Sequence, residues 1–247
     1  MMKKLIFIWI GACSLTISCN DVLDIDDLGS YDPDQVWNDA NLANAYMANI
    51  YEMFGNWNTT AEQRSEQLIG IHFYANRITI SNAEYKSWDY NRIRLINQAI
   101  QDVNAGSLDQ AVKDNITGQA LFMRAYAYFR MVMYHGGVPY VTVPQDRYED
   151  DLYVPRNSTA ECFEYILADL DEAISKLPEK IEKSSADYGK IDGMFALAFR
   201  AKVLLYMASP QFHPSNPWDN AHWQTAYEVN KQAYEELSSN GYALTPD

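Results

Sequence analysis

The chain has 247 residues, 48% of them hydrophobic, which is enough for one large domain or two small ones with a sizeable core. Its formal net charge of −14 argues against nucleic acid as a partner, because contacts to phosphates require a basic face. Aromatic residues make up 13% of the chain, with 18 tyrosines and 6 tryptophans, and an acidic, tyrosine-rich surface suits a neutral ligand better than an anionic one.

The first residues have the pattern of a targeting signal. Two lysines form a positive start, and the apolar run over 5–17 that follows is too short to span a membrane. The run ends in the sequence LTISC, which resembles the lipobox of bacterial lipoproteins and would make Cys19 the acylated N-terminal residue. Cys13 ends the better-matching sequence IGAC, but cleavage there would cut inside the apolar run. We therefore expect a lipoprotein signal peptide over 1–18 and lipid attachment at Cys19, with Cys13 as the alternative.

After Cys19 the chain turns polar and acidic and shows no hydrophobic periodicity as far as Tyr31. Such a segment suits a tether that allows a lipid-anchored domain to clear the bilayer. The pattern predicts an acidic tether over 19–31 and a helical domain over 32–247.

Two amphipathic helices are predicted in the first part of this domain, over 38–54 and 85–105. Apolar residues recur on one face of each, and a glycine follows each helix. The stretch between them, 55–84, mixes Gly, Asn, Thr and aromatic residues without a sustained helical period. A loop of this length is uncommon in a compact helical domain unless it has a function.

The most apolar helix is predicted over 117–134. Nearly every residue in its second half is apolar or aromatic, so the helix must be surrounded by other elements. It should end at Gly136 and Gly137, which can adopt positive φ, and Pro139 prevents the helix from restarting. Residues 138–143 are predicted to form a short extended segment.

Three more helices are predicted in the rest of the chain. Ser158 and Glu161 form a capping box, which predicts a helix over 158–177, and two further helices follow over 193–208 and 221–238. The six helices form three successive pairs: 38–54 with 85–105, 117–134 with 158–177, and 193–208 with 221–238. Stacked antiparallel pairs predict an all-α fold of irregular tetratricopeptide-like helix pairs with long loops.

Two arginines fall in the apolar central helix, Arg124 and Arg130. A buried charge is costly unless it is paired, so each should meet an acidic or carbonyl partner between helices, with Asp169 as a candidate for one of them. We expect both arginines to have a structural role.

No pattern in the sequence indicates catalysis. The four histidines lack metal-binding spacing, and Cys162 is the single cysteine outside the signal region, so we expect neither a metal site nor a disulfide. Phosphate-loop, nucleophile-elbow and dinucleotide-binding motifs are missing, and no pair of carboxylates stands out as a glycosidase pair. The sequence predicts a protein that is not an enzyme and needs no cofactor.

The central helix and the residues after it resemble the SusD/RagB family. The pattern is Q-A-x-F-x-R-A-Y-x-Y-F-x-M followed by Y-H-G-G-V-P-Y-V. The residues that carry it are Gln119, Ala120, Phe122, Arg124, Ala125, Tyr126, Tyr128, Phe129, Tyr134, Gly136, Gly137, Val138 and Pro139. The helices over 85–105, 158–177 and 193–208 match further family patterns, so the resemblance covers nearly the whole chain.

The resemblance implies a SusD-like α-superhelix and a lipoprotein at the surface of the bacterial outer membrane. Such proteins capture a glycan without catalysis, as the binding lid of a SusC-like TonB-dependent transporter that imports the nutrient. Family members are about twice as long as this chain, so we expect it to be truncated before a C-terminal half.

In the family, the glycan site lies partly in this N-terminal region, on long ligand-bearing loops. Aromatic side chains stack on the flat faces of sugars, and Asn or Arg side chains bind their hydroxyls. By position, Tyr74, Arg77 and Trp88 are the candidate glycan-binding residues. The alternative is structural, with Trp88 packed on the core and Arg77 merely solvated.

Two rival functions remain open: a peptide-capturing member of the same family, and a helical-repeat scaffold that binds only protein. An exposed aromatic arc within 56–92 would favour a sugar, and a hydrophilic groove without exposed aromatic residues would favour the rivals.

Overall fold

The computed structural model describes residues 33–54 and 88–243, which are helical with irregular connections and contain no strand. The α-helices are α1 (Pro33–Val36), α2 (Ala40–Tyr51), α3 (Tyr90–Ala105), α4 (Gln110–His135), α5 (Thr159–Lys176), α6 (Gly193–Met207) and α7 (His222–Ser239). Short 3₁₀ helices cover Glu52–Phe54 and Pro210–Phe212. Helices α2–α7 belong to one compact unit, residues 34–247.

Each helix from α3 to α6 packs against the next one along the chain, and α2 packs against both α3 and α4. The predicted pairs α4 with α5 and α6 with α7 are therefore confirmed, and the fold is all-α with tetratricopeptide-like pairs. The first predicted pair is different, because α2 lies against α4 as well as against its expected partner α3.

Helix α4 is the centre of the core, as its composition predicts. Fifteen of its residues are buried, including the large side chains of Phe122, Tyr128 and Phe129. The helix begins at Gln110, earlier than predicted. The prediction missed its first two turns because they are largely polar and carry no hydrophobic pattern. Asp114 in these turns accepts a 3.1 Å bond from Lys176 at the end of α5, so the extension is fixed by a contact distant in sequence.

The predicted ends of the helices around α4 have a clear physical basis. Gly136 has φ +68°, and a Cβ on Gly137 would lie 2.0 Å from the carbonyl oxygen of Asn157, so the turn after α4 requires glycine at both positions. The capping box of α5 is present: Glu161 N donates to Ser158 Oγ at 3.2 Å, and Ser158 N donates to Glu161 Oε2 at 2.7 Å.

Residues 138–143 form no regular element, although an extended segment was predicted. Their backbone groups bond mainly to side chains, among them those of α3 and α4, instead of to another strand. Tyr90 Oη donates to Pro139 O at 2.8 Å, and Asn97 Nδ2 donates to Val141 O at 2.9 Å. Tyr128 Oη accepts a 2.6 Å bond from Val141 N. Side chains of α3 and α4 thus hold the segment against the core.

Helix α6 is as apolar as predicted but only partly buried. Phe195, Leu205 and Tyr206 are exposed on it, while Ala196, Ala201 and Val203 are buried. Its apolar composition alone therefore does not determine its burial.

Candidate functional site

Trp88 lies two residues before α3 and is the one predicted glycan-binding residue within the described part of the chain. The residue is exposed to 48%, so it is neither fully solvated nor fully buried. The indole stacks on the imidazole of His135, with ring centroids 4.6 Å apart and an interplanar angle of 18°. The ring of Tyr90 is also nearly parallel to it, at 6.1 Å and 15°. Trp88 is therefore an exposed aromatic surface supported by other rings.

The residues that support Trp88 are themselves well fixed. His135 is the last residue of α4, and its carbonyl oxygen accepts a 2.7 Å bond from Arg156 Nη2. Arg156 Nε donates to Gly137 O at 2.7 Å, which ties the turn after α4 to the start of α5. The hydroxyl of Tyr90 donates to Pro139 O at 2.8 Å, and burial raises the pKa of Tyr90 to about 12.

A column of tyrosines continues from Tyr90 into the molecule. Tyr90 meets Tyr128 edge-on, Tyr128 stacks on Tyr140 at 3.8 Å, and Tyr140 contacts the exposed Tyr165 of α5 at 5.0 Å. Burial, and next the carboxylate of Asp169, raise the pKa of Tyr140 well above its ordinary value. These rings join the ends of α3, α4 and α5 into a rigid base for the site.

The expectation that Asp169 pairs with one of the two arginines is confirmed, and that arginine is Arg124. Arg124 donates to the two carboxylate oxygens of Asp169 at 2.8 and 2.6 Å, and both residues are buried. Arg124 Nη1 also donates to Asn97 Oδ1 at 3.0 Å, and Tyr140 Oη donates to Asp169 at 2.8 Å. Burial alone would lower the pKa of Arg124, but the hydrogen bonds and charge of Asp169 raise it overall. This network is structural and orders the helices beneath the site.

Arg130 is half-buried, so its need for a charged partner is smaller than expected. Its guanidinium lies 5.8 Å from the ring centroid of Tyr126, one turn earlier on α4.

The other predicted site residues, Tyr74, Arg77 and the acylated Cys19, lie outside the described residues, as does the irregular stretch 55–84. Their roles remain predictions, and so does the ligand contact of Trp88. Cys162 is buried, as expected, and its Sγ donates to Val138 O at 3.4 Å.

Sequence reasoning missed His135 as a neighbour of Trp88. The sequence offered one signal for it: an aromatic ring at the last position of the central helix, directly before two glycines at which the chain must turn. Two connecting loops also carry strongly exposed aromatic residues, which are Tyr148, Tyr153 and Trp218.

In the part of the chain covered by 33–54 and 88–243, no three His, Cys, Asp or Glu side chains are grouped so that they could hold a metal ion. The helices of the same part include none with the length and apolarity of a membrane span.

A family model for SusD-like proteins, described as starch-binding and associating with the outer membrane, matches residues 26–205. The chain is 27% identical over 206 residues to the SusD-like protein P38 of Formosa agariphila, a match that covers 77% of this chain and 39% of that protein. It is 29% identical over 116 residues to a SusD-like protein of Bacteroides ovatus, which covers 46% of this chain and 21% of that one.

Solved structures show the same fold. A SusD-like protein of Bacteroides fragilis superposes with a TM-score of 0.69 at 24% identity, over 87% of this chain and 40% of that one. A laminarin-binding SusD-like protein superposes with a TM-score of 0.56 at 24% identity, over 71% and 41%. The chain spans about two fifths of the length of these structures. Because the family match covers most of the chain, the protein belongs to the SusD-like family.

Proposed function

We propose that this protein captures a neutral glycan at the surface of the bacterial outer membrane, without catalysis, and that Trp88 is a stacking platform for one of its sugar rings. The observation that carries the proposal is the half-exposed indole of Trp88, stacked on His135 in a chain of the SusD-like family.

The chemistry of a sugar ring fits this platform. A pyranose has a flat face of C–H groups with hydroxyls at its edge, and the face of an indole is apolar and electron-rich. Tyr74 and Arg77 would supply a second aromatic contact and hydroxyl-binding groups. The net charge of −14 disfavours an anionic polysaccharide through long-range repulsion.

The family description and the relatives support the ligand class and the location. The family is described as starch-binding and associating with the outer membrane, and one structural neighbour is a laminarin-binding protein. We infer that lipid attachment at Cys19 anchors the protein. We also infer that it works as the lid of a SusC-like TonB-dependent transporter, with the helix pairs as the docking surface.

Affinity electrophoresis of the full chain tests the glycan proposal. The gels contain soluble starch, laminarin or galactomannan, with pectin as an anionic comparison. We expect at least one neutral glycan to retard the chain more than pectin does. Trp88→Ala should weaken that interaction at least about tenfold, as truncation of a central aromatic contact does at binding sites.

Trp218→Ala is the matched control, because Trp218 is exposed to 78% on a different loop. We expect it to bind like the wild type. Equal losses for both variants, or no retardation by any neutral glycan, would contradict the proposed role of Trp88.

The transporter proposal is tested separately, by purifying the tagged protein from native outer membranes and identifying co-purifying proteins by mass spectrometry. A large TonB-dependent barrel is the expected partner. Recovery of the protein from these membranes without such a barrel would refute the lid model and leave the glycan proposal intact.

A further inference from the structure

We propose that His135 is a positioning residue for Trp88: its imidazole fixes the angle and depth at which the indole meets a sugar ring. This inference deepens the proposed function and rests on it for the ligand, although the positioning itself can be measured without one.

The indole and the imidazole are nearly parallel, with centroids 4.6 Å apart, which is the separation of stacked rings in contact. An indole exposed to 48% that lacked such support would exchange between rotamers, and a ligand would have to restrict that motion on binding. The stack removes this cost before the ligand arrives.

The backbone of His135 is held in place independently of Trp88. It ends α4, and the backbone reverses directly after it at Gly136, with φ +68°. Its carbonyl oxygen accepts the bond from Arg156 Nη2 at 2.7 Å. His135 therefore belongs to the most deeply packed helix of the described chain. Its imidazole gives the exposed indole of Trp88 a fixed surface to stack on.

Nε2 of His135 is buried and has no hydrogen-bond partner in the structure. A buried nitrogen without a partner is unfavourable, so hydrogen bonding through Nε2 cannot be what stabilises this residue here. The stacking surface of the ring is the remaining contribution. A phenyl ring should therefore replace the imidazole at this position.

The test compares His135→Phe with His135→Ala in the full chain, alongside Trp88→Ala. In affinity electrophoresis with soluble starch, laminarin and galactomannan, we expect His135→Phe to bind within about twofold of the wild type. His135→Ala should bind about fivefold more weakly, which corresponds to the loss of one aromatic pair. In the double variant with Trp88→Ala, the His135→Ala change should have no further effect, because the two residues act through one contact.

A second readout follows Trp88 without any glycan. Subtracting the near-ultraviolet circular dichroism spectrum of Trp88→Phe from that of the wild type gives the signal of Trp88. This signal reports whether the indole is held in one asymmetric environment. We expect this signal to persist in His135→Phe and to disappear in His135→Ala, while the far-ultraviolet spectra of both remain helical.

The outcomes separate the two proposals. If no neutral glycan binds the wild type but the Trp88 signal depends on an aromatic ring at position 135, the glycan proposal fails and the positioning stands. If His135→Ala binds glycan and keeps the Trp88 signal like the wild type, while Trp88→Ala does not bind, the positioning role is refuted. If His135→Phe loses the signal as fully as His135→Ala, the argument from the unused nitrogen is wrong.

Discussion

Replacement of Asp169 by Asn tests how the core supports the site. The change keeps the shape of the side chain but removes the charge that faces Arg124, and the two residues form a doubly hydrogen-bonded pair at 2.8 and 2.6 Å. The guanidinium stays charged in the variant because arginine is not deprotonated in proteins, and the amide of Asn can accept fewer of its hydrogen bonds than the carboxylate. A buried charge without its partner costs about 3–5 kcal/mol, and we expect the free energy of unfolding to fall by that amount.

Asp171 provides the matched control on the same helix. It also pairs with an arginine, Arg200, at 2.5 Å, but its side chain is exposed to 56%. Solvent screens this pair, so Asp171→Asn should cost about 0–1 kcal/mol. Residue type, partner type and helix are the same at the two sites, which differ in burial and in the further bond that Asp169 accepts from Tyr140.

Urea denaturation followed by far-ultraviolet circular dichroism measures both variants. With a slope of about 2–3 kcal/mol per molar urea, the midpoint of Asp169→Asn should fall by about 1–2 M, and that of Asp171→Asn by less than about 0.5 M. The double variant Arg124→Met/Asp169→Leu should recover at least half of the loss, because no unpaired charge remains in the core. Equal midpoints for the two Asn variants, or a double variant no more stable than Asp169→Asn, would refute the reasoning.

Two further predictions concern the turn after α4 and the buried phenols. Gly137→Ala places a Cβ 2.0 Å from the carbonyl oxygen of Asn157 and should lower the free energy of unfolding by about 3 kcal/mol. At Gly189 a Cβ would meet no atom within 4 Å, but φ is +98°, so Gly189→Ala should cost about 1 kcal/mol. Similar urea midpoints for the two variants would contradict this prediction. Burial raises the pKa of Tyr51 to about 12 in the folded protein, so its contribution to stability is complete below pH 10 and is lost as the pH rises towards 12. Urea midpoints measured across this range should fall less steeply for Tyr51→Phe than for the wild type, and equal slopes would show that Tyr51 does not contribute.

Much of the fold could be predicted because its determinants are local. The capping box at Ser158, the glycines after α4 and the apolar composition of that helix each act within a few residues. The pair of Arg124 with Asp169 was also predictable, since a charge in so apolar a helix requires a partner.

The parts that could not be predicted depend on contacts distant in sequence. The polar start of α4 is tied by Lys176, and the backbone of 138–143 is bound by side chains such as Asn97 instead of by a strand. Neither contact leaves a periodic pattern. The stack of His135 on Trp88 also joins residues distant in sequence. Each ring is visible in the sequence, but only the packing of α3 beside α4 brings the two rings together.

The central claim, that Trp88 receives a sugar ring, is tested most directly by oxidative footprinting with mass spectrometry, which reads each tryptophan separately. Trp88 and Trp218 are both exposed and should both be oxidised in the free protein. With saturating soluble starch, laminarin or galactomannan, the account predicts that at least one glycan protects Trp88 while Trp218 reacts as before. Unchanged oxidation of Trp88 with all three glycans, or protection of Trp218 alone, would contradict it.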